Sequence, residues 1–328
     1  MRAATVTAPG VIEVKDFDVP TAERPGEIVV RMERASICGS DIHVAFDGFE
    51  HPDGVGTPGY PGHEGIGVVV ESNAAHLPVG VRVLTAPIGH IGRCFAEYQL
   101  IDANQVVPLP ADGDPAKLLM AQQYGTTLFA MRLFWQGGNT NTVGIIGAGS
   151  AGLFFLQQAK LLGFENIIIS DLNEERLAVA GRLGAQTLVH APEESFVDAV
   201  HRVTGGRGAD LVIEAAGYDQ LRADAVQAVA VQGTIGFFGF PERYGLAEFP
   251  MWDAFRKIVR MQWASGTQSE PGLVAIRDAV QHIHEGLIEV DYCLGAVYGL
   301  EDLPEAMRVA REHPGAVKLS IDLARTGD

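Results

Sequence analysis

The sequence predicts an α/β protein, a β-rich domain joined to a doubly wound parallel sheet. Three features carry this expectation. The first third consists of short alternating apolar runs punctuated by Pro, Gly and Asn-Ala turns. From Asn141 onward the pattern changes to regular strand–helix alternation, the grammar of a parallel sheet covered on both faces. The segment after Gly266 is too short to form its own core, so it is expected to return to the first domain. The expected boundaries are therefore 1–125 with 267–328 for the β-rich domain and 126–266 for the parallel-sheet domain.

Taken in order, strands are expected over residues 26–37, 65–71, 82–85 and 95–101. A helix over 117–135 is ended by Gln136-Gly137-Gly138-Asn139. Strand 142–146, helix 150–162 and strand 166–170 then follow, and after them helix 174–183, strand 186–189 and helix 193–203. Strands at 209–214, 233–237 and 258–264 complete the alternating part. Helices at 273–286 and 303–313 and a strand at 317–323 close the chain.

At 328 residues, two domains of ordinary size are the natural expectation. Hydrophobic residues make up 47% and charged residues 20%, the balance of a packed soluble protein rather than a disordered one. The net charge of −17 and the lack of any basic run argue against nucleic-acid binding and against anionic membranes. Three cysteines, Cys38, Cys94 and Cys293, make no disulfide framework and fit a reducing cytoplasm. No signal-peptide core or 18-residue apolar run is present.

Gly147-Ala148-Gly149-Ser150-Ala151-Gly152 lies between an apolar strand and a helix, and Asp171 ends the next strand 19 residues after Gly152. In that setting the first glycine permits a tight turn and the second lets backbone amides approach a pyrophosphate. The third lets helix and strand pack closely. The helix N-terminus favours the phosphates despite the negative global charge. Asp171 is suited to accept hydrogen bonds from ribose hydroxyls and to repel a 2′-phosphate, so NAD is favoured over NADP. Arg176 nearby leaves some NADP tolerance. The bland alternative is that these glycines serve turns alone.

Cys38-Gly39-Ser40-Asp41-Ile42-His43, followed by Gly62-His63-Glu64, supplies a thiolate and an imidazole of the kinds Zn²⁺ favours. Ser40 and His43 add groups that could pass a proton outward. Taken singly, Cys38 could be an ordinary buried cysteine and His63 a structural histidine, while His43 could be an exposed loop residue. Cys94 and Cys293 are expected to pack, and His51, His76 and His90 to be solvated in loops. Phe46, Phe49 and Trp252 could line a pocket or pack elsewhere.

In this order the motifs resemble the zinc-dependent medium-chain alcohol dehydrogenase superfamily. Further elements of the likeness are Phe95-Ala96-Glu97-Tyr98, Gly205-Gly206-Arg207-Gly208-Ala209-Asp210 leading into 211–217, and Ala316-Val317-Lys318-Leu319-Ser320. The resemblance implies a GroES-like catalytic domain and a Rossmann domain. It implies Cys38 and His63 as zinc ligands, Asp41 orienting His63, Ser40 and His43 as a proton relay, and Thr126 touching the nicotinamide. Lys318 would pair with Glu64 or with the pyrophosphate. The implied reaction passes hydride between a zinc-bound alcohol and NAD, the metal easing loss of the alcohol proton.

Three departures from the family pattern stand out. The stretch between Ala86 and Phe95 is too short, with one cysteine, for the usual structural-zinc lobe, so one catalytic zinc and no structural zinc is expected. The family's third anionic ligand, about 25 residues before the first fingerprint glycine, is replaced by Gln122, whose neutral amide is a poorer zinc ligand. Gln122 could ligate weakly or through water, Glu64 could serve as a ligand, or metal could bind poorly. The favoured set is Cys38, His63 and Glu64 with Gln122 near the fourth position. Third, Gly80-Val81-Arg82-Val83 replaces the family's Gly-Asp-Arg-Val and so loses a carboxylate.

A small alcohol or ketone is the expected partner. The acidic residues Asp47, Glu50 and Asp53 suit a polyol or sugar, whereas Phe46 and Phe49 suit a secondary alcohol. A homo-oligomer, dimer or tetramer, is implied by the family. The rival readings are a zinc-free reductase of activated double bonds and a non-catalytic NAD(H)-binding protein.

Overall fold

A computed structural model describes residues 1–48, 52–89, 93–243, 245–312 and 318–324. Expectations placed on Phe49, Glu50, His51 and His90, and the ends of the last helix and strand at 313 and 317, lie outside the described residues.

The chain begins with β1 (Arg2–Ala8), β2 (Val11–Asp16), β3 (Glu27–Ser36), α1 (Gly39–Asp47), β4 (Gly65–Ser72) and β5 (Arg82–Thr85). It continues with β6 (Tyr98–Asp102), β7 (Val106–Pro108), α2 (Pro115–Leu118) and α3 (Ala121–Phe134). Strand–helix alternation follows: β8 (Thr142–Ile146), α4 (Ser150–Leu161), β9 (Asn166–Asp171), α5 (Glu174–Leu183), β10 (Thr187–His190) and α6 (Phe196–Thr204). Next come β11 (Ala209–Glu214), α7 (Asp219–Ala228), β12 (Val229–Phe237), α8 (Met251–Lys257) and β13 (Arg260–Trp263). The closing elements are α9 (Val274–His284), β14 (Leu294–Gly299), α10 (Leu303–Glu312) and β15 (Lys318–Asp322).

Two compact units result, Met1–Gly125 with Thr267–Asp328, and Thr126–Gly266. In the first, a seven-stranded sheet runs β14-β15-β3-β4-β5-β7, with β6 also paired to β3. All of these pairings are antiparallel except β14 with β15. The β1–β2 hairpin lies outside that sheet. Its core is built from Ile28, Val30, Met32, Val69, Val83, Phe95, Leu303 and Ile321, all buried. Arg82, which lacks the family's neighbouring carboxylate, pairs instead with Glu33 of β3, Nε to Oε2 at 2.8 Å.

In the second unit six parallel strands run β10-β9-β8-β11-β12-β13. The order reverses between β8 and β11, the doubly wound pattern that opens a crevice at the carboxyl ends of those two strands. Every residue of β8 and β11 is buried, as a sheet covered on both faces requires.

Local chemistry accounts for several departures from the expected boundaries. The helix expected over 117–135 is two helices, because Met120 bonds back to Lys117 in a tighter turn before regular bonding resumes. Ser195 caps α6 by accepting from the Asp198 N–H, so that helix starts at Phe196 rather than 193. The strand expected from 95 starts at Tyr98; Phe95 forms only an isolated bridge to Gly59. The elements β1, β2, α1, β7, α7, α8 and β14 were not expected from the sequence.

Candidate active site

Both halves of the metal motif stand at strand ends of the first unit. Cys38 immediately precedes α1, and the Asp41 side chain folds back to accept the Cys38 N–H at 2.8 Å. The other Asp41 oxygen lies 2.9 Å from His63 Nδ1. Asp41 is buried, so this one carboxylate ties the helix start to the His63 ring and leaves Nε2 as the ring nitrogen that can ligate. Burial works against a charged imidazole, but Asp41 and Cys38 outweigh it and hold the His63 pKa well above its usual value.

His63-Glu64 is bracketed by glycines for steric reasons. A Cβ at Gly62 would lie 2.7 Å from the Phe95 ring, and one at Gly65 would lie 2.5 Å from Met32 Cε and 2.7 Å from Cys94 Cβ. Cys94 therefore packs beside the His63-Glu64 segment, and burial pushes its thiol well up. Cys293 is likewise buried, its thiol pushed up to about 12 mainly by desolvation. Both cysteines are packing residues, as expected.

Glu64 is 1% exposed. Its Oε2 accepts from Lys318 Nζ and from Ser36 Oγ, whereas Oε1 is buried without a hydrogen-bond partner. Burial opposes the Lys318 charge, but Glu64 and Cys38 outweigh that and raise its pKa. Of the two partners expected for Lys318, the structure provides Glu64. Among the described residues, Cys38, His63 and Glu64 form the one cluster of metal-capable side chains, with one donor atom from each inside 4.8 Å. A thiolate, an imidazole and an orphaned carboxylate oxygen suit a zinc ion.

Ser40 and His43 both lie on α1, three residues apart and hence on one face. His43 is helical rather than in a loop, with Nδ1 2.9 Å from Asp47. Gln122 is buried near the start of α3, next to Tyr124, whose hydroxyl lies 2.9 Å from His282 Nδ1. Phe46 is partly buried against the core, with the Arg311 guanidinium 4.7 Å over its ring, while Trp252 and His76 are exposed.

In the second unit the glycine turn joins β8 to α4. Gly147 has φ +99°, a value that disfavours a side chain. A Cβ at Gly152 would lie 1.9 Å from the Gly147 carbonyl oxygen, so strand and helix meet at backbone distance. At Gly149 a Cβ would meet nothing within 4 Å, which leaves the amides of Ser150 and Ala151 at the α4 N-terminus approachable by a pyrophosphate. Asp171 accepts from the Ala148 N–H at 2.7 Å and the Asn173 N–H at 2.9 Å, and Arg176 Nη1 lies 3.5 Å from it. Thr126 is partly exposed on α3.

A dinucleotide-type crevice in one unit and a sulfur–nitrogen–oxygen donor corner in the other define a metal-assisted dehydrogenase. Residues 151–275 match the zinc-binding dehydrogenase family and residues 24–111 the alcohol dehydrogenase GroES-like domain. The chain is 30% identical over 242 residues to an L-threonine 3-dehydrogenase of Bacillus subtilis (strain 168), covering 66% of this chain and 69% of that protein. It is 29% identical over 258 residues to the L-threonine 3-dehydrogenase of Bacillus velezensis, covering 70% and 73%. An alcohol dehydrogenase from Thermus sp. ATN1 shares the fold with a TM-score of 0.86 at 22% identity, over 98% of this chain and 99% of that one. The chain belongs to the zinc-dependent medium-chain dehydrogenase superfamily. It is a dehydrogenase acting on CH–OH groups, with zinc and NAD(P) as its cofactors. No helix among the described residues is long and apolar enough to cross a membrane.

Proposed function

We propose that this protein uses a single zinc, held by Cys38, His63 and Glu64 with Gln122 near the fourth position, to transfer hydride between a secondary alcohol, polyol or sugar and NAD. The observation that carries this reading is the buried, partnerless Glu64 Oε1 within the three-residue cluster. An uncompensated buried carboxylate oxygen costs stability, and a cation removes that cost. Zinc at this corner supplies charge stabilisation for the substrate oxygen as the alcohol loses its proton. Asp41 holds the His63 ring, and Lys318 balances Glu64. Ser40 and His43 would move the released proton outward along α1. Gly147, Gly149, Ser150, Ala151 and Gly152 would hold the pyrophosphate, with Thr126 beside the nicotinamide. Asp171 would accept from the adenosine ribose and favour NAD over NADP, with Arg176 at the carboxylate moderating that preference.

A cytoplasmic homo-oligomer completes the reading. Its support is the outermost position of β13 and the exposed Trp252, Phe255, Ile258 and Trp263 at that side of the unit, a patch a second copy would cover. Light scattering reading one chain mass would contradict it.

The test is a panel of secondary alcohols, polyols and sugars followed at 340 nm with NAD and with NADP. Turnover of at least one alcohol with NAD preferred is the expected result. A protein that binds NADH yet turns over no alcohol or ketone would overturn the reading.

A further inference from the structure

Arg93 lies against the segment that leads into the ligand His63. Cys94 donates its N–H to the Gly62 carbonyl at 3.1 Å, and Phe95 bridges Gly59. A Cβ at Gly59 would come within 2.3 Å of the Arg93 carbonyl oxygen, so the two backbones are in direct contact. Glycine at 59 thus brings the Arg93 segment up to the metal corner.

The Arg93 guanidinium is partly buried. Its Nε is buried without a hydrogen-bond partner, and no ion pair to Arg93 occurs among the described residues. Burial pulls its pKa down, while Asp41, Cys94 and Tyr60 pull it back up, with Asp41 the strongest of the three. Both Asp41 oxygens are already engaged. One of its oxygens faces His63 Nδ1 and the other takes the Cys38 N–H. Glu64 is likewise engaged by Lys318. Both Asp41 oxygens and one Glu64 oxygen already have partners, whereas Arg93 Nε has none.

A partly buried cation with an idle donor is costly unless an acceptor arrives, and the guanidinium fork matches a carboxylate or a phosphate. We infer that Arg93 is a specificity-determining residue that binds an anionic group, carboxylate or phosphate, carried by the substrate alcohol. This rests on the dehydrogenase reading above and narrows its substrate class to hydroxy acids or phosphorylated polyols.

The test compares matched pairs on the zinc-loaded enzyme with NAD: 3-hydroxybutyrate against 3-hydroxybutyramide, and glycerol 1-phosphate against glycerol. The charged member of one pair should be favoured at least tenfold in kcat/KM, and which pair shows it separates carboxylate from phosphate. Arg93→Gln should reduce that ratio at least tenfold, and Arg93→Lys should restore part of it. A wild-type ratio below twofold in both pairs overturns the inference without any variant, as does a ratio in Arg93→Gln within twofold of wild type. If no alcohol of either kind is turned over, the dehydrogenase reading has failed, and calorimetric titration with acetate and inorganic phosphate still reads Arg93. Binding weakened at least tenfold in Arg93→Gln supports an anion site there; equal binding by both proteins overturns it.

Discussion

The metal corner and the glycine turn solve opposite problems. At the metal corner six residue types, Cys38, His63, Glu64, Asp41, Lys318 and Ser36, must bring their side chains together. Asp41 fixes His63, Lys318 and Ser36 fix one oxygen of Glu64, and the other oxygen has no hydrogen-bond partner. At the glycine turn side chains are nearly absent, and backbone must approach backbone, as the 1.9 Å clash of a Cβ at Gly152 shows. A charge-balanced corner fails when one partner is removed, because the others are left buried and unpaired. A steric turn fails when one atom is added.

The largest effect should come from breaking the corner. Cys38→Ser should abolish zinc binding and turnover while NADH affinity stays within a few-fold, read by metal analysis and fluorescence titration. Retained activity would rule out Cys38 as a ligand. The converse change is Gly152→Val, which forces helix and strand apart. Overpacking of this kind costs about 1–3 kcal/mol and here should also lose NADH binding while zinc content persists. Loss of zinc in that variant would mean the two sites are not separable in this way.

A smaller effect sharpens the contrast by pH. Burial opposes a charged His63, but Asp41 and Cys38 outweigh it, so without metal the ring keeps its proton to a higher pH than usual. Zinc must displace that proton, so its apparent affinity should climb as pH rises toward the raised His63 pKa. Competition with a colorimetric chelator across pH 5 to 9 would read this, and a flat or falling profile would contradict it. The smallest effect is expected at the ribose. Asp171→Ala should weaken NAD several-fold and narrow its preference over NADP, and an unchanged ratio would remove Asp171 from that contact.

Legibility differed between the two regions for the same reason. Strands such as β8 and β11 could be placed to the residue because full burial writes an unbroken apolar run. Candidate ligands could be named because zinc chemistry restricts residue type. The β1–β2 hairpin left little trace, since its first strand is carried by Ala and Thr rather than large β-branched residues. Helix α1 was hidden by its own motif, as Cys, Gly, Ser and Asp read as loop chemistry until Asp41 is seen bonding to the Cys38 N–H. Arg93 was passed over altogether. A lone arginine carries no spacing signal, and only its missing partner in the folded chain draws notice.

The most direct measurement is zinc stoichiometry on protein purified without chelator, paired with NADH formation at 340 nm before and after chelation. One zinc per chain, with turnover lost on chelation and recovered on adding zinc, is the predicted result. Less than about half an equivalent, with turnover surviving chelation, would contradict a zinc-assisted site at Cys38, His63 and Glu64.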